Sequence, residues 1–419
     1  MFLLLTLGCT LDSVVIGDDD DEESSSEETS SEPEPPTEPE VDTTTVPDAD
    51  VDDDWIFAQD LVHQVEITIS DVDRATLDAD PRNFVPATVR YDGYEIENVG
   101  LRLRGKIGSY RPLSGKPKFK LDFNEFTPER RFFGLEGLNL NNSVVDCSYM
   151  REAIGYQAYS AAGVPALRVA YAWVKVNGSD YGLYVVLEMP DDRFLKDRYA
   201  DGTGNLYDGK YVWYADGSYT LLDFTTAVQD LYQLEEGTDV GHQDIHRVTD
   251  AINTSWGTSA WMDTTGAAVD WAAWHRNLAV EQWLGHNDGY ALNTNNYRVY
   301  FNPETRLAEP VPWDLDYTFL EDSWWGMNWY TPRGVLAYGC FFDAACLPAY
   351  QSRLDEVARA IDGAGLVELY HRLDALTYDL TQQDPRRECA AESVASDRAY
   401  LLDWIQTESA EVRAFWGMP

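Results

Sequence analysis

The 419-residue chain carries 73 Asp and Glu against 31 Lys and Arg, a formal charge of −42. Reading a phosphate backbone needs clustered Lys and Arg that displace counterions, so no nucleic-acid partner is expected. With 44% hydrophobic residues, 14 Trp, 25 Tyr and 15 Phe, the composition is that of a folded protein long enough for two lobes.

The first nine residues, MFLLLTLGC, form an apolar run closing on Gly8-Cys9. They are similar to the lipobox of bacterial lipoproteins, with Cys9 as the lipidated residue, which implies export and a membrane anchor at the cell envelope or surface. Residues 10–54 follow as a Ser/Thr/Pro-bearing acidic segment. Nineteen carboxylates lie between Asp12 and Asp54, and the first basic side chain is Arg74. Such a segment has nothing to bury and self-repels, so it reads as a disordered spacer. The body, residues 55–419, keeps a net charge of −23. Its four cysteines read as two structural disulfides. Cys340 and Cys346 enclose a short loop and pair first, leaving Cys147 with Cys389; no CxxC spacing or adjacent His points to zinc.

Within the body, alternation predicts a strand at Val65–Ile69 and a hairpin from Ala87–Tyr91 to Val99–Arg104 around Asp92-Gly93. The loop GKIGSYRPLSGK (105–116) leads into KFKLDF (118–123). There Phe119, Leu121 and Phe123 take the core face, and Lys118, Lys120 and Asp122 the other. Ser148 is the expected N-cap of a helix ending at Gly163. Strands at Arg168–Val176 and Tyr181–Leu187 are joined at Asn177-Gly178. In the second half Asp270 caps a helix that stops at Gly285. A polar loop from His286 to Asn296 precedes strands Tyr297–Phe301 and Arg306–Val311, then Pro312-Trp313-Asp314-Leu315-Asp316. The last hundred residues carry apolar positions at helical spacing. The expectation is an α+β body whose first part, 55–190, is an antiparallel sheet with one helix, and whose second, 191–419, is mostly helical.

The order of helix, loop Asp, Asn, hairpin and further Asp is the order used in phosphoryl transfer by kinases. His286-Asn287-Asp288 with Asn293 has the H-x-D-x-x-x-x-N spacing of a catalytic loop. In that reading Asp288 accepts the substrate hydroxyl proton, and Asn293 with Asp314 or Asp316 binds metal. Converging carboxylates at about 4 Å repel by about 4 kcal/mol at an effective dielectric near 20, so a divalent cation, Mg2+ or Mn2+, is expected with ATP. Lys120, with Lys118 as the alternative, would meet the phosphates; Glu152 would pair with that lysine, and Glu188 would lie near the adenine.

The stretches LRLRG (101–105) with Ser109, KFKLDF, FGLEGLNLNNSVVDCSYMREAIGY (133–156), GVPALRVAYAWVKVNGSDYGLYVVLE (163–188), GNLY (204–207), HNDGYALNTNNYRVYF (286–301) and VPWDLDYTF (311–319) resemble the CotH family of spore-coat kinases. This resemblance implies a two-lobed, protein-kinase-like fold, an N-lobe of residues 55–190 and a C-lobe of 191–419. It implies transfer of the ATP γ-phosphoryl group to Ser or Thr of a protein. By position it makes Asp288 the catalytic Asp, Asp314 the metal-binding Asp, and Lys120 and Glu152 the phosphate-side ion pair. The metal-side Asn of the family precedes the strand Tyr, which points to Asn296, whereas kinase spacing points to Asn293.

Two other readings compete. The aromatic pairs Trp324-Trp325 and Trp329-Tyr330 suit a non-catalytic adhesin or coat-type binding module, and Asp288 with Asp314-x-Asp316 suits a metal-dependent hydrolase. A pure binder has no need of the Lys120, Glu152, Asp288 and Asp314 set, and a phosphate-directed lysine adds little to most hydrolytic sites. The serines and threonine of the spacer, Ser24–Ser26 and Thr29–Ser31, read first as residues that solubilise a flexible linker; on the kinase reading they are also candidate autophosphorylation acceptors held at high local concentration.

Overall fold

The computed structural model describes residues 52–106, 108–214, 216–321 and 328–418. The apolar N-terminus with Cys9, the spacer serines and Trp324-Trp325 lie outside the described residues. Chain order begins with a 3₁₀ turn (Asp54–Phe57), β1 (His63–Thr68), α1 (Asp71–Ala79), β2 (Val85–Tyr91) and β3 (Tyr94–Arg104). β4 (Lys118–Asp122), β5 (Gly137–Asn141), α2 (Arg151–Ala161), β6 (Val169–Val176) and β7 (Ser179–Glu188) complete the first half. The seven strands close into a barrel in the order β1-β2-β3-β4-β5-β7-β6. The closing pair, β1 with β6, is the parallel one, a long-range pairing that local alternation does not reveal.

Periodicity explains why β6 and β7 read as almost continuous apolar runs. Ala170, Ala172, Val174, Tyr184 and Val186 point into the barrel core, while Val169, Tyr171, Leu183, Val185 and Leu187 join a second, larger core. α2 belongs to that second core through Met150, Ala153, Ile154, Ala158 and Tyr159. A strand buried on both faces loses the polar half of its pattern. In β4 the predicted face holds, with Phe119, Leu121 and Phe123 inside the barrel.

The second half contains more sheet than its sequence suggests. It runs α3 (Asp192–Arg198), β8 (Asn205–Gly209), β9 (Val212–Trp213), β10 (Tyr219–Thr220), a 3₁₀ turn (Gln229–Leu231), β11 (Gln233–Glu236), α4 (Gln243–Ser255) and α5 (Trp261–Thr265). Next come α6 (Trp271–Trp283), α7 (Tyr290–Asn293), β12 (Tyr297–Phe301), β13 (Ala308–Pro312) and a 3₁₀ turn (Leu315–Tyr317). α8 (Val335–Phe342), α9 (Cys346–Asp362), α10 (Leu366–Gln383) and α11 (Ala391–Phe415) end the chain. A four-stranded sheet in the order β11-β8-β12-β13 sits among these helices, and β9 with β10 forms a separate ribbon. The expectation of a mostly helical second half is corrected to that extent. Among the described residues no helix is long and apolar enough to cross a membrane.

Two boundaries move. Asp270 caps α6 as expected, accepting from Ala273 N at 3.0 Å, and the helix ends at Gly285, which has φ +52° and where a Cβ would strike the Leu320 carbonyl. Ser148 is not the cap of α2, which begins at Arg151. Asp146 does more of that work, accepting from Ser148 N at 2.9 Å and Arg151 N at 3.0 Å. At the other boundary, Asp53 was assigned to the spacer but is buried, and Arg168 clasps both its oxygens at 2.9 and 2.8 Å.

The cysteines meet as expected, Cys147 with Cys389 (Cα–Cα 5.7 Å) and Cys340 with Cys346 (Cα–Cα 4.9 Å). Folding also brings His275 Nε2 to 3.2 Å from Cys346 Sγ, a neighbour the sequence spacing did not disclose.

Candidate active site

The hairpin β12–β13 sets the site's geometry. Its register pairs Tyr297 with Pro312, and Trp313 N donates to the Asn296 carbonyl at 3.3 Å. The loop carrying Asp288 and the segment carrying Asp314 therefore leave the same end of one hairpin. Between Asp288 and β12 the polar loop contains the single turn α7, followed by left-handed Thr294 (φ +46°) and Asn296 (φ +49°). This path turns both amides back on one carboxylate. Asn293 Nδ2 donates to Asp288 Oδ1 at 2.6 Å, and Asn296 Nδ2 donates to Oδ2 at 3.0 Å. Each of the two alternative asparagines thus lies within reach of Asp288.

The loop is braced from beneath by a residue that the sequence reading passed over. Glu281, buried in α6, accepts from Asn277 Nδ2 at 2.8 Å and from Ala291 N at 2.8 Å. Burial pushes its carboxyl up to about 7. Burial likewise lowers buried His286 to about 4, so its imidazole is neutral. Asp288 itself is raised above the usual carboxylate value by burial, against the pull of its amide partners.

Opposite Asp288, the lysine that meets the acidic group is Lys118, not Lys120. Lys118 Nζ donates to Asp316 Oδ2 at 2.6 Å and to Asp314 Oδ1 at 3.3 Å, with its side chain almost wholly buried. Burial disfavours its charge, but Asp314, Asp316 and Glu152 together hold it well above the ordinary lysine value. Lys120 is two residues further along the same face, where it pairs with Asp122 at 3.1 Å and lies 5.5 Å from the Phe84 ring centroid. Strand alternation puts both lysines on one face and cannot choose between them; position along β4 does.

Glu152 projects from the first turn of α2 and is held by Asn141 Nδ2, 2.8 Å from each oxygen. Burial raises its carboxyl to about 8 against the attraction of Lys118. Its expected pairing with Lys120 is replaced by an amide clasp beside the Lys118 cluster. Asp314 has φ +49°, and a 3₁₀ turn follows it, so the D-x-D stretch leaves β13 as a turn. Burial opposes its charge, yet Lys118 and Arg104 keep its carboxyl below the usual value. Asp316 is raised to about 6 by burial and by Asp314.

Asp288, Asn293, Asn296, Asp314, Asp316 and Lys120 line one cleft of about 1000 Å³ between the barrel and the β12–β13 end, while Lys118, Glu152, Glu281 and His286 lie outside its lining. Eight of the chain's 31 Lys and Arg side chains line it, including Arg102, Arg104, Lys106, Lys120 and Arg298. The guanidinium carbons of Arg104 and Arg298 lie 5.1 and 4.6 Å from the Trp313 ring centroid, cation–π contacts that hold two cations at the back of the cleft. Arg104 lies in LRLRG, just before Gly105, and Trp313 lies in VPWDLDYTF, but nothing in their spacing announces this stacking.

Glu188 is corrected. Its carboxylate is buried and taken by Arg168 and Arg198, at 2.8 and 2.6 Å, and the chain presents Met189, Pro190 and Asp191 to the cleft instead. Trp329 is buried while Tyr330 is exposed, so that pair is no continuous binding face. Lys118, Arg104, Arg298, Trp313, Asp288, Asp314 and Asp316 can together hold an anion and a cation side by side.

The CotH kinase protein family matches residues 101–343, more than half of the chain. Inner spore coat protein H of Bacillus subtilis (strain 168) is 28% identical over 255 residues, 58% of this chain and 64% of that protein. The match therefore spans just under two thirds of that relative's length. Among solved structures, the HipA–HipB–operator DNA complex of the Shewanella oneidensis MR-1 toxin–antitoxin system covers 84% of this chain and 74% of its own. Its identity is 15% and its TM-score 0.29, a likeness too slight to carry an argument. The stretches that frame the cleft, from LRLRG through β4 to VPWDLDYTF, fall inside the matched family region, and the chain belongs to the CotH kinase family.

Proposed function

We propose that the chain transfers the γ-phosphoryl group of ATP to a Ser or Thr hydroxyl of a protein, in a two-lobed kinase-like body split near residue 190. The observation that carries this reading is the convergence of Asp288, Asp314 and Asp316 on a cleft that is also lined by eight Lys and Arg side chains and by six further carboxylates. Carboxylate and amide oxygens are the donors a hard divalent cation takes, and fixed Lys and Arg are the partners of a polyphosphate. The residues present therefore fit Mg2+ or Mn2+ and ATP.

Asp314 and Asp316, with Asn293 or Asn296, would hold the metal, whose charge would offset that of the phosphates. Asp288 accepts the proton of the attacking hydroxyl, held in place by the two asparagine amides. Its raised carboxyl value brings it nearer the working pH, which favours a general base. Lys118 offsets part of the charge of Asp314 and Asp316, and Lys120, on the same strand face and in the cleft lining, would meet phosphate oxygens. Arg104 and Arg298, stiffened by Trp313, would bind the remaining phosphate charge.

The adhesin reading loses Trp329 to the core, and no described residue favours it further. We also propose that Cys9 tethers the body at the envelope or surface through residues 10–52, in line with the coat protein named above. Metabolic lipid label on the wild type and not on Cys9→Ser is the expected outcome; label on Cys9→Ser refutes it.

Incubation with γ-labelled ATP, Mg2+ or Mn2+ and a Ser/Thr-bearing protein tests the transfer. Label on protein is expected. Absence of transfer and of autophosphorylation, with no nucleotide binding by calorimetry, overturns the reading.

A further inference from the structure

Tyr211 plays no role in the chemistry above, yet its phenol reaches the centre of it. The hydroxyl donates to Asp288 Oδ1 at 3.3 Å and accepts from Asn293 Nδ2 at 2.9 Å. A base must stand within about 2.6–3.2 Å of the hydroxyl it deprotonates, so a substrate hydroxyl needs the place that this phenol holds.

The element that carries Tyr211 is loosely built. It joins β8 to the β9–β10 ribbon, which pairs Tyr219 with Trp213 and Thr220 with Val212, adds a bond from Tyr214 N to the Ser218 carbonyl, and among the described residues has no ladder to the neighbouring sheet. Two-stranded ribbons are marginal alone and open locally at low cost. Ring contacts to Tyr219 and Trp213, at 5.3 and 6.4 Å between centroids, support Tyr211. Trp213, Tyr214 and Tyr219 are themselves exposed. From the barrel side Lys106 Nζ lies 5.6 Å from the Tyr211 ring centroid and donates to its carbonyl at 3.4 Å. Tyr211 thus bridges Asp288 and the barrel loop that carries Lys106.

We propose that Tyr211 is a gate on the acceptor side of the cleft, its hydroxyl standing in for the Ser or Thr hydroxyl at Asp288 until a protein substrate displaces it and the β9–β10 ribbon swings away. The gate rests on the phosphoryl-transfer reading, and the test separates the two. Transfer from ATP to a mixed Ser/Thr peptide library is measured for the full chain and for Tyr211→Phe, which keeps the ring and removes the hydroxyl. The acceptor KM falls about tenfold in Tyr211→Phe, the worth of one hydrogen bond to a carboxylate, while the KM for ATP stays unchanged. Hydrogen exchange in the wild type shows the β9–β10 amides losing protection when peptide and nucleotide are added together. An unchanged acceptor KM with transfer intact overturns the gate and leaves the transfer reading standing. Phosphate found on Tyr211 itself also overturns it, because the residue would then be an acceptor. Absence of both nucleotide binding and transfer in the two chains brings down both proposals.

Discussion

Lys118 and Lys120 show what a one-residue choice means in a buried acidic cluster. Each is a strand lysine on the cleft face, but only Lys118 is enclosed with Asp314 and Asp316. Removing one partner of a buried pair leaves an uncompensated charge, at a cost of about 3–5 kcal/mol. Lys118→Met is accordingly expected to lower Tm sharply, with part of the loss recovered in Mn2+ as the two carboxylates regain a cation. Lys120→Met breaks a pair with Asp122 whose side chains are 20% and 13% exposed, so it costs less than loss of the almost wholly buried Lys118, while weakening ATP binding measured by calorimetry. Equal Tm for the two variants would contradict this placement. The acids of the site were legible because their order along the chain carries the chemistry. The choice of lysine, the stacking of Arg104 and Arg298 on Trp313, and Tyr211 were not, because each depends on how far along a strand or across a cleft a side chain comes to lie.

At the scale of elements, the segment between α10 and α11 straps the barrel to the helical region. Lys116 pairs with Asp384 in full burial, Arg111 pairs with Glu388, and Arg386 donates to the carbonyls of the loop at Leu113 and Ser114. Cys389 closes the strap onto Cys147, just ahead of the helix that presents Glu152. The loop closed by that disulfide spans a sequence separation of 242, against 6 for Cys340–Cys346. In the chain-entropy account these are worth roughly 5 and roughly 2 kcal/mol. The Cys147→Ser/Cys389→Ser variant should therefore unfold at clearly lower denaturant than Cys340→Ser/Cys346→Ser; the reverse order would contradict the strap. Helices and strands with a clean period, such as β4 and α6, were readable from the sequence. The barrel closure, the four-stranded sheet and residues 191–269 were not, since strands buried on two faces or only two residues long lose their period.

Across the whole molecule, the charge of −42 sets a pH dependence. Burial raises Asp191, Glu236 and Glu281 to about 7, and Asp223 to about 6. A carboxyl whose folded value exceeds its unfolded one binds more protons when folded. Its contribution to stability is full below the ordinary carboxylate value and is lost as pH rises through 6 to 7. The chain should melt several degrees higher at pH 5.5 than at pH 8, and a flat or rising Tm towards pH 8 would contradict these burials. The same acidic body holds a cleft around Asp288 lined by both carboxylates and cations, and one substitution tests what that cleft is for. Transfer of label from γ-labelled ATP to protein should fall about a hundredfold or more in Asp288→Asn, with the nucleotide Kd unchanged. Full transfer by Asp288→Asn would contradict the assignment of Asp288 as the base on which the account turns.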